Sequence, residues 1–448
     1  MKIKSSIALI VILASFIQHV SSKPTPTKPE WLMNRPINPE FYIGIGTCNK
    51  KSNINSYQQT TKNNALNDLA GEIHVNISNT SLLYTLSVNN TIKETFDSKT
   101  STSINESLEG YELVDTYEDE FAYWAYYKLS RIKYAEIKQQ RIQKAVDSAL
   151  SKFETAVTYE NQQQYYNALI LLIKSIEDIK PYLSESLRAK YNDKEIYLGN
   201  EIFNKILHCL SELKIWSLQK EITVKKGQPI KSELLSFTIS DRNGNKIENI
   251  PIIVEFTGGA IINDRDRTST QGVVSFSIPK IKSKKSIEYF TAKIDFNSIL
   301  QDATNDYLIR KLLRNVKQID FQKQINIQNP IFFVTSADKN NQPILEDAFT
   351  GSLTPLNLEI TKNQKDADFI VDISSNTFQS TTTNYMCKVS IEVTIIVKNQ
   401  TSKILYQRNI SDINGIQSTF DSAKSEAYRN AVEYIANRIV ADIIDQLF

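Results

Sequence analysis

The sequence predicts a multidomain α+β protein built from modules in tandem, and two observations carry that prediction. The chain has 448 residues, of which 41% are hydrophobic, and this is enough for about three or four domains with separate cores. The spacing of apolar residues also changes along the chain, from mixed to helical, then to alternating, then back to mixed. These changes predict a signal peptide at 1–22, a small α+β domain with a helix on an antiparallel sheet at 23–130, a helical spacer with a hairpin at 131–216, a β-sandwich at 217–300, a linker at 301–324, and an α+β domain closed by a long helix at 325–448.

Residues 1–22 have the pattern of a secretory signal. Two lysines precede the apolar run Ile7–Ile17, and the small residues Val20 and Ser22 suit the positions before a cleavage site at Lys23. The run is too short for a comfortable membrane-spanning helix, and no later segment reaches that length without charges. We therefore expect an exported mature chain without a transmembrane segment, although peripheral association with a membrane stays open.

Charge and cysteine usage narrow the function classes. Loss of the two signal-peptide lysines takes the formal charge from +2 to zero, so no overall basic field favours nucleic acid. Residues 30–130 nevertheless carry 7 basic and 13 acidic side chains, while residues 217–300 carry 13 basic and 9 acidic ones. A lipid anchor at the amino terminus needs a Cys directly after the signal. Because the first Cys is Cys48, we expect no such anchor. An odd number of cysteines cannot pair completely, so we expect Cys48, Cys209 and Cys387 to be buried free thiols.

The domain at 23–130 is predicted to run strand, helix, then several antiparallel strands. Phe41–Gly46 is a short aromatic–aliphatic strand, and the apolar spacing of Tyr57–Ile73 predicts a helix. Four further segments alternate apolar and polar residues or are rich in aromatic residues and predict strands: Val75–Asn89, Thr91–Ser103, Tyr111–Tyr117 and Phe121–Leu129.

Helical spacing begins at Arg131. Ile132–Tyr159, Tyr165–Ile179 and Glu185–Leu213 are predicted helices. The small and aromatic residues of Ala149–Leu183 resemble a tetratricopeptide-type helical hairpin, but only about one and a half repeats are present. Because a solenoid needs about three repeats, we expect a spacer that packs on its neighbours.

Residues 217–300 change to short alternating strands bounded by Gly-containing turns, including Ile252–Phe256 and Val273–Ile278. Asn305–Lys323 is basic and only partly amphipathic, and we expect it to be a linker. The predicted elements of the last domain are the strands Ile331–Thr335, Phe369–Ile373, Tyr385–Lys398 and Lys403–Ser411, a helix at Ile344–Phe349, and a closing helix Phe420–Leu447 with one apolar stripe.

The sequence offers no strong candidate for a catalytic, cofactor-binding or metal-binding residue. After signal cleavage only His74 and His208 remain, in separate domains and beside apolar residues, and we expect both to be structural. No Walker A, kinase or G-x-S-x-G motif occurs. Gly44-Ile45-Gly46 lacks the third glycine of a dinucleotide loop, so it is better interpreted as the end of the first strand.

Three charged segments are weaker candidates. Asp264-Arg265-Asp266-Arg267 offers carboxylates for Ca²⁺, but its arginines neutralise them. The acidic turn Glu118–Glu120 and a basic loop are both expected to be solvated surface. The basic loop contains Lys280, Lys282, Lys284 and Lys285, and an alternative is that it touches acidic glycans or lipid head groups.

Four stretches resemble known families. The residues that carry the first resemblance are Pro29-x-Trp31, Pro36, Tyr42–Gly46 and the helix Ala65-x-x-x-Leu69-Ala70 leading into Ile73-x-Val75-x-Ile77. Together they resemble the LPP-twenty lipoprotein family and the amino-terminal domain of a flagellar outer-membrane ring assembly protein. That resemblance implies a small α+β envelope domain without catalytic residues. The 217–300 region resembles a bacterial immunoglobulin-like module of invasin-type proteins. Ala367–Ile373 and Ser425–Ile443 resemble small domains of envelope-assembly proteins, namely the amino-terminal domain of TolB and the lipopolysaccharide-assembly lipoprotein.

These features favour a non-catalytic envelope protein, periplasmic or associated with the outer membrane, that acts in assembly or scaffolding. Its expected partners are envelope proteins or a second copy of itself, without nucleic acid or cofactors. The immunoglobulin-like resemblance keeps a surface-exposed adhesin as an alternative. A hydrolase remains a remote alternative that would need a cleft with converging polar groups.

Overall fold

A computed structural model describes residues 27–51, 56–73, 78–86, 108–283, 285–337, 343–356, 358–381 and 386–448. The predicted signal peptide therefore lies outside the described residues. Contacts divide the chain into two compact units: Met1–Ser78 with Ser87–Lys144, and Asn79–Leu86 with Ala145–Phe448. Both contain helices and sheets, so the predicted multidomain α+β fold class is confirmed. No helix within the described ranges is long and apolar enough to cross a membrane.

The first unit is a helix on a three-stranded antiparallel sheet. Its elements are α1 (Glu30–Met33), β1 (Phe41–Asn49), α2 (Tyr57–Gly71), β2 (Glu112–Glu118) and β3 (Ala122–Ser130). The strand order is β1-β3-β2, so the last strand in sequence is central. The core lies between α2 and one face of this sheet. We call this unit the N-terminal domain.

The Gly-x-Gly motif brings helix and sheet together. A Cβ on Gly44 would lie 2.1 Å from the carbonyl oxygen of Ala65, and one on Gly46 would lie 2.2 Å from that of Thr61. Only glycine therefore allows the backbone of α2 to approach β1 this closely. The motif lies inside β1, which continues to Asn49, and the prediction that it ends the strand is wrong.

The predicted strand Val75–Asn89 is wrong over its described part. Residues Leu82–Thr85 form a short helix, α3, that belongs to the second unit. Leu82 and Leu83 are buried, and Asn200 donates a hydrogen bond to the carbonyl of Thr80. The apolar pair is buried by helical contacts rather than by a pleated strand. The predicted strand Thr91–Ser103 lies outside the described residues.

The helical part of the second unit uses α4 (Arg131–Asn161), within which the unit boundary falls, α5 (Tyr165–Asp178) and α6 (Leu198–Glu212). Ser175 of α5 donates a 2.5 Å hydrogen bond to the carbonyl of Ala149. The prediction of one helix over Glu185–Leu213 is wrong, because its first half is a hairpin. The hairpin strands are β4 (Arg188–Tyr191) and β5 (Lys194–Tyr197).

A two-sheet sandwich follows the helices. One sheet has the order β10-β9-β12-β13-β7 and the other β11-β8-β6. Phe237 and Phe290, from opposite sheets, stack with ring centroids 5.8 Å apart. The strands are β6 (Lys214–Trp216), β7 (Glu221–Lys225), β8 (Ser236–Ser240), β9 (Pro251–Phe256), β10 (Arg265–Arg267), β11 (Val273–Ser275), β12 (Ile287–Ile294) and β13 (Asp320–Gln328).

The predicted linker at 301–324 is wrong. Two helices, α7 (Phe296–Ala303) and α8 (Tyr307–Leu313), occupy much of it. β13 then inserts between β12 and β7 and pairs with β7 in parallel. The basic residue Lys323, which suggested an exposed linker, is 1% exposed inside the sandwich.

The C-terminal module is a five-stranded sheet of order β15-β14-β16-β17-β18 covered by helices. The strands are β14 (Ile331–Ser336), β15 (Glu359–Ile360), β16 (Phe369–Thr381), β17 (Cys387–Asn399) and β18 (Ile404–Gln417). The helices are α9 (Ile344–Leu353), α10 (Phe420–Tyr434) and α11 (Val440–Leu447), with a π-helical turn at Ile435–Ile439 joining the last two. The predicted apolar stripe of the closing helix is buried against the sheet.

Candidate interaction surface

The clearest concave surface of the N-terminal domain is a groove beside α2. Because Gly44 and Gly46 hold α2 over β1, the face of β3 is only partly covered. The opening has a volume of about 360 Å³. We call it the tyrosine groove, and it is lined by Ser56, Tyr57, Gln58, Gln59, Lys62, Tyr123, Ala125 and Tyr127.

Aromatic edge-to-face contacts hold the groove in shape. The rings of Tyr57 and Tyr123 lie 5.7 Å apart, as do those of Tyr111 and Tyr127. The ammonium of Lys62 lies 5.2 Å from the centre of the Tyr111 ring. A hydrogen bond to Tyr111 raises the pKa of Lys62, and burial raises the pKa of Tyr127. The groove therefore combines tyrosine rings with one lysine side chain.

The other face of the same sheet is partly covered by the segment that holds Trp31. Its indole Nε1 donates a 2.8 Å hydrogen bond to Asp115, and its ring lies 5.7 Å from that of Tyr126. Tyr117 and Trp124 make a further ring contact at 5.6 Å. The Pro-Trp segment that stood out in the sequence thus completes the N-terminal domain on its second face.

The β1 edge of the sheet is blocked by two polar side chains, Asp68 in α2 and Glu72 directly after it. Glu72 and Asp68 accept hydrogen bonds from the backbone N–H groups of Ile43 and Ile45, at 3.0 and 2.8 Å. Arg35 bridges both carboxylates and also donates to the carbonyl of Ile43. An added strand cannot use these backbone groups while the carboxylates occupy them.

The charged segment 264–267 is engaged in ion pairs. Arg265 contacts Asp295 at 3.1 Å, and Arg267 contacts Asp302 at 2.6 Å. A neighbouring concavity of about 310 Å³ is lined by such paired groups, including Lys293 with a carboxylate 2.7 Å away. No group of three His, Cys, Asp or Glu side chains within the described ranges is arranged to hold a metal.

The acidic turn and the basic loop make structural contacts. Asp119 accepts hydrogen bonds from the backbone N–H groups of Phe121 and Ala122, which lower its pKa. Glu118 pairs with Lys50 at 3.2 Å. Lys280 donates to the carbonyl of Gln446, while Lys282 and Lys285 are exposed and Lys284 lies outside the described residues.

His208, Cys209 and Cys387 are far from the groove in sequence, whereas Cys48 lies on β1 opposite the groove residue Tyr123. His208 lies between Glu160, 2.9 Å from its Nδ1, and Glu212, 3.8 Å from its Nε2. Burial raises the pKa of the adjacent Cys209 thiol, so the thiol stays protonated and inert. All three cysteines are free, as expected, but the prediction that all are buried is wrong: Cys209 is buried, whereas Cys48 and Cys387 are partly exposed. His74 lies outside the described residues.

One pattern in the sequence indicates the groove, although it matches no known motif. Tyr123, Ala125 and Tyr127 alternate along β3 and therefore share one face. The sequence does not predict the position of α2, which leaves Tyr123 and Tyr127 only partly covered although Ala125 between them is buried.

No family model and no curated protein matches this chain. Fourteen solved protein chains do. Among them are a minor lipoprotein from Acinetobacter baumannii (11% identity, TM-score 0.21, 26% of this chain and 93% of that chain), lipoprotein GNA1162 from Neisseria meningitidis (10%, 0.19, 26% and 99%), and an uncharacterized lipoprotein B from Nitrosomonas europaea (10%, 0.20, 26% and 86%). Each likeness covers about a quarter of this chain, and the function is inferred from the chain's own geometry.

Proposed function

We propose that this chain is a non-catalytic cell-envelope protein that acts in assembly or scaffolding, and that its N-terminal domain binds a partner envelope protein in the tyrosine groove. The groove itself carries the proposal, because rigid tyrosines around a concave opening are the residues that dominate protein interfaces. The acidic balance of residues 30–130, 13 acidic against 7 basic side chains, favours a partner segment with basic residues flanking an apolar side chain.

The ionisable side chains around His208 are paired with one another, and this supports a non-catalytic role. His208, Glu160 and Glu212 satisfy one another at the surface of α6, and the Cys209 thiol beside them is protonated. A nucleophile would need an activated thiol or hydroxyl next to a base. The polar groups of this cluster instead bind neighbouring helices together.

The signal-peptide pattern at 1–22 supports export, and we place the mature chain in the periplasm or at the outer membrane. The two-sheet sandwich favours a surface adhesin as the second candidate. Addition of protease to intact cells separates the two locations. A periplasmic chain survives until the outer membrane is permeabilised, whereas degradation in intact cells would contradict the periplasmic location.

A photo-cross-linker tests the groove directly. Gln58 is an exposed groove residue on α2, and Gln140 is an exposed glutamine on α4 that serves as the matched position. With the photoreactive amino acid at Gln58, we expect a discrete adduct with an envelope protein in intact cells. Adducts of equal yield from Gln140, or none from Gln58, would contradict binding in the groove.

A substitution then measures the contribution of the groove. Tyr57→Ala removes one wall, and we expect roughly 30-fold weaker recovery of the cross-linked partner, as for an interface tyrosine worth about 2 kcal/mol. Tyr84→Ala removes an exposed tyrosine of α3 that does not line the groove, and it is the control. Equal recovery from the two variants would count against the proposal.

A further inference from the structure

The C-terminal sheet has one long edge that lacks the protection seen at the other long edges of the described chain. β14 pairs with β16 only as far as Ile373, while β17 pairs with β16 as far as Thr381. The six residues Asn376–Thr381, which we call the distal segment of β16, thus have no strand on their other side among the residues that the structure describes, and all six are exposed.

The other long outer strands carry devices that prevent strand addition. β1 is blocked by the carboxylates of α2. β18 is blocked by its own helices, because Glu426 accepts from the N–H of Ile416 while Asn430 and Gln446 donate to carbonyls of the strand. Each of these side chains takes a backbone group that an incoming strand would need.

β2 is protected in a different way. It carries Glu112, Asp115 and Glu118, and its register is interrupted by a bulge between Leu113 and Asp115. Charges and bulges are both devices that keep edge strands apart. Every other outer edge within the described ranges exposes five or fewer residues, which is too short for a stable pairing on its own.

The distal segment of β16 has none of these features. Its sequence, Asn-Thr-Phe-Gln-Ser-Thr, contains no charged residue, no proline and no glycine. Its pairing with β17 continues without a bulge to Thr381. Phe378 is 54% exposed on it. At about 3.4 Å per residue the segment offers roughly 20 Å of regular edge.

The direction of the free backbone groups follows from the last contact with β14. The carbonyl of Ile373 points away from β17 and accepts from the N–H of Ala337. Because backbone groups alternate along a strand, the outward groups beyond it include those of Thr377 and Gln379. Both residues therefore offer an N–H and a C=O to an incoming strand.

We infer that the distal segment of β16 is a homotypic interface, through which two copies of this chain join their C-terminal sheets edge to edge in antiparallel fashion. The charge pattern selects a second copy as the occupant. A two-fold antiparallel pairing of β2 would bring its acidic side chains, Glu112, Asp115 and Glu118, close to those of the second copy, but the uncharged distal segment brings no like charges together. The pairing also brings the two exposed Phe378 side chains onto one continuous sheet face.

Sedimentation equilibrium of the mature chain, residues 23–448, tests the inference with two matched variants. Gln379→Lys places a charge on the open edge, and Gln407→Lys places the same charge on the exposed but blocked edge strand β18. We expect a concentration-dependent dimer for the unchanged chain and for Gln407→Lys, and at least about tenfold weaker dimerisation for Gln379→Lys. A monomer at every concentration up to about 100 µM, or equal weakening by both variants, would overturn it.

Thr377→Pro gives an independent test of the backbone contact. Proline removes an outward N–H without disturbing the hydrogen bonds to β17, and edge strands tolerate it there. We expect a folded monomer, judged by circular dichroism and sedimentation. In the unchanged chain, hydrogen exchange at Thr377 and Gln379 should slow as concentration rises. Exchange independent of concentration overturns the inference, and neither result bears on the tyrosine groove, because the groove lies in the other unit.

Discussion

At the scale of single residues, Gly44 and Gly46 determine how closely the helix and sheet of the N-terminal domain pack. A Cβ at Gly46 would meet the carbonyl oxygen of Thr61 at 2.2 Å and the amide nitrogen of Ala65 at 2.3 Å. These are backbone atoms, which cannot turn aside as a flexible side chain can. We expect Gly46→Ala to destabilise the N-terminal domain by about 2–3 kcal/mol.

Gly71→Ala is the matched control, because a Cβ at this helical position would meet nothing within 4 Å. It should leave the free energy of unfolding unchanged or raise it by about 0.5 kcal/mol. Urea unfolding followed by tryptophan fluorescence on a Trp216→Phe background reports on the N-terminal domain, where Trp31 and Trp124 lie. Equal midpoints for the Gly46→Ala and Gly71→Ala chains would show that the close approach is not limiting.

Lys323 is a cation buried in the sandwich. Its ammonium donates to the carbonyl of Leu234 at 2.7 Å and lies 5.4 Å from the centre of the Phe237 ring. Burial lowers the pKa of Lys323. The unfolded chain therefore binds the proton more tightly, and the charged ammonium of Lys323 lowers the stability of the folded chain. This loss of stability is full below the folded-state pKa and disappears as pH rises towards the unfolded value. The gain in stability from Lys323→Met should therefore be largest near pH 7 and shrink towards pH 10.

Thermal unfolding of the Lys323→Met and unchanged chains at pH 7 and pH 10 measures this difference. Lys214→Met removes an exposed lysine from β6 and should give the same small effect at both pH values. A constant difference between Lys323→Met and the unchanged chain at the two pH values would mean that the ammonium is not desolvated in the folded protein.

At the scale of elements, the two α+β modules use the same construction. In each, a glycine on a strand admits the backbone of a helix, at Gly46 for α2 and at Gly415 for α10, where a Cβ would lie 2.0 Å from the carbonyl of Ala423. Polar side chains of that helix then satisfy the outward backbone groups of the same strand. Close packing places the helix near enough to the edge for short carboxylates to reach it.

Removal of these carboxylates should open the edge of β1. In Asp68→Ala with Glu72→Ala, the N–H groups of Ile43 and Ile45 lose their acceptors, and we expect their hydrogen exchange to accelerate about tenfold or more. Asp68→Asn with Glu72→Gln keeps an acceptor oxygen at each position and is the matched control. Unchanged exchange in the alanine variant would show that the edge is protected by some other contact.

The elements that the sequence predicted well are those with long, regular apolar spacing. The closing helix and α4 follow from it almost to their ends. The hairpin β4-β5 was missed because each strand has four residues, although Asn192 and Asp193 between them adopt the positive φ of a tight hairpin turn. β13 was missed because its partners are distant in sequence and its buried Lys323 mimics a surface position.

At the scale of the whole molecule, the contacts between modules could not be predicted from the sequence. The sandwich and the C-terminal module meet at the carboxyl terminus, where a Cβ on Gly227 would lie 2.7 Å from the Phe448 ring. Lys226 lies 4.9 Å from the centre of that ring, and Phe369 packs against its edge. Nothing in local periodicity predicts such contacts, because the residues that make them are far apart in the chain.

An ion pair with one buried partner also joins the two modules at this junction. Both oxygens of Asp368 accept from Lys225 of β7 at 2.8 Å, and one also accepts from the N–H of Ile331. Asp368 is almost fully buried while Lys225 is about one-third exposed. Lys225→Met should therefore leave a buried carboxylate without its cation and destabilise the second unit by about 2 kcal/mol.

Arg408→Met supplies the matched control, since Arg408 pairs with Asp442 at 2.9 Å with both side chains about half exposed. Such an exposed pair contributes little to stability because solvent and salt screen it. Calorimetry of the mature chain should show a lower melting temperature for Lys225→Met than for Arg408→Met. The double variant Lys225→Met with Asp368→Asn should regain most of the lost stability, because the neutral amide needs no cation. If the two single variants have the same melting temperature, the modules are held by Phe448 and its apolar contacts, and the ion pair only fixes how the modules are oriented.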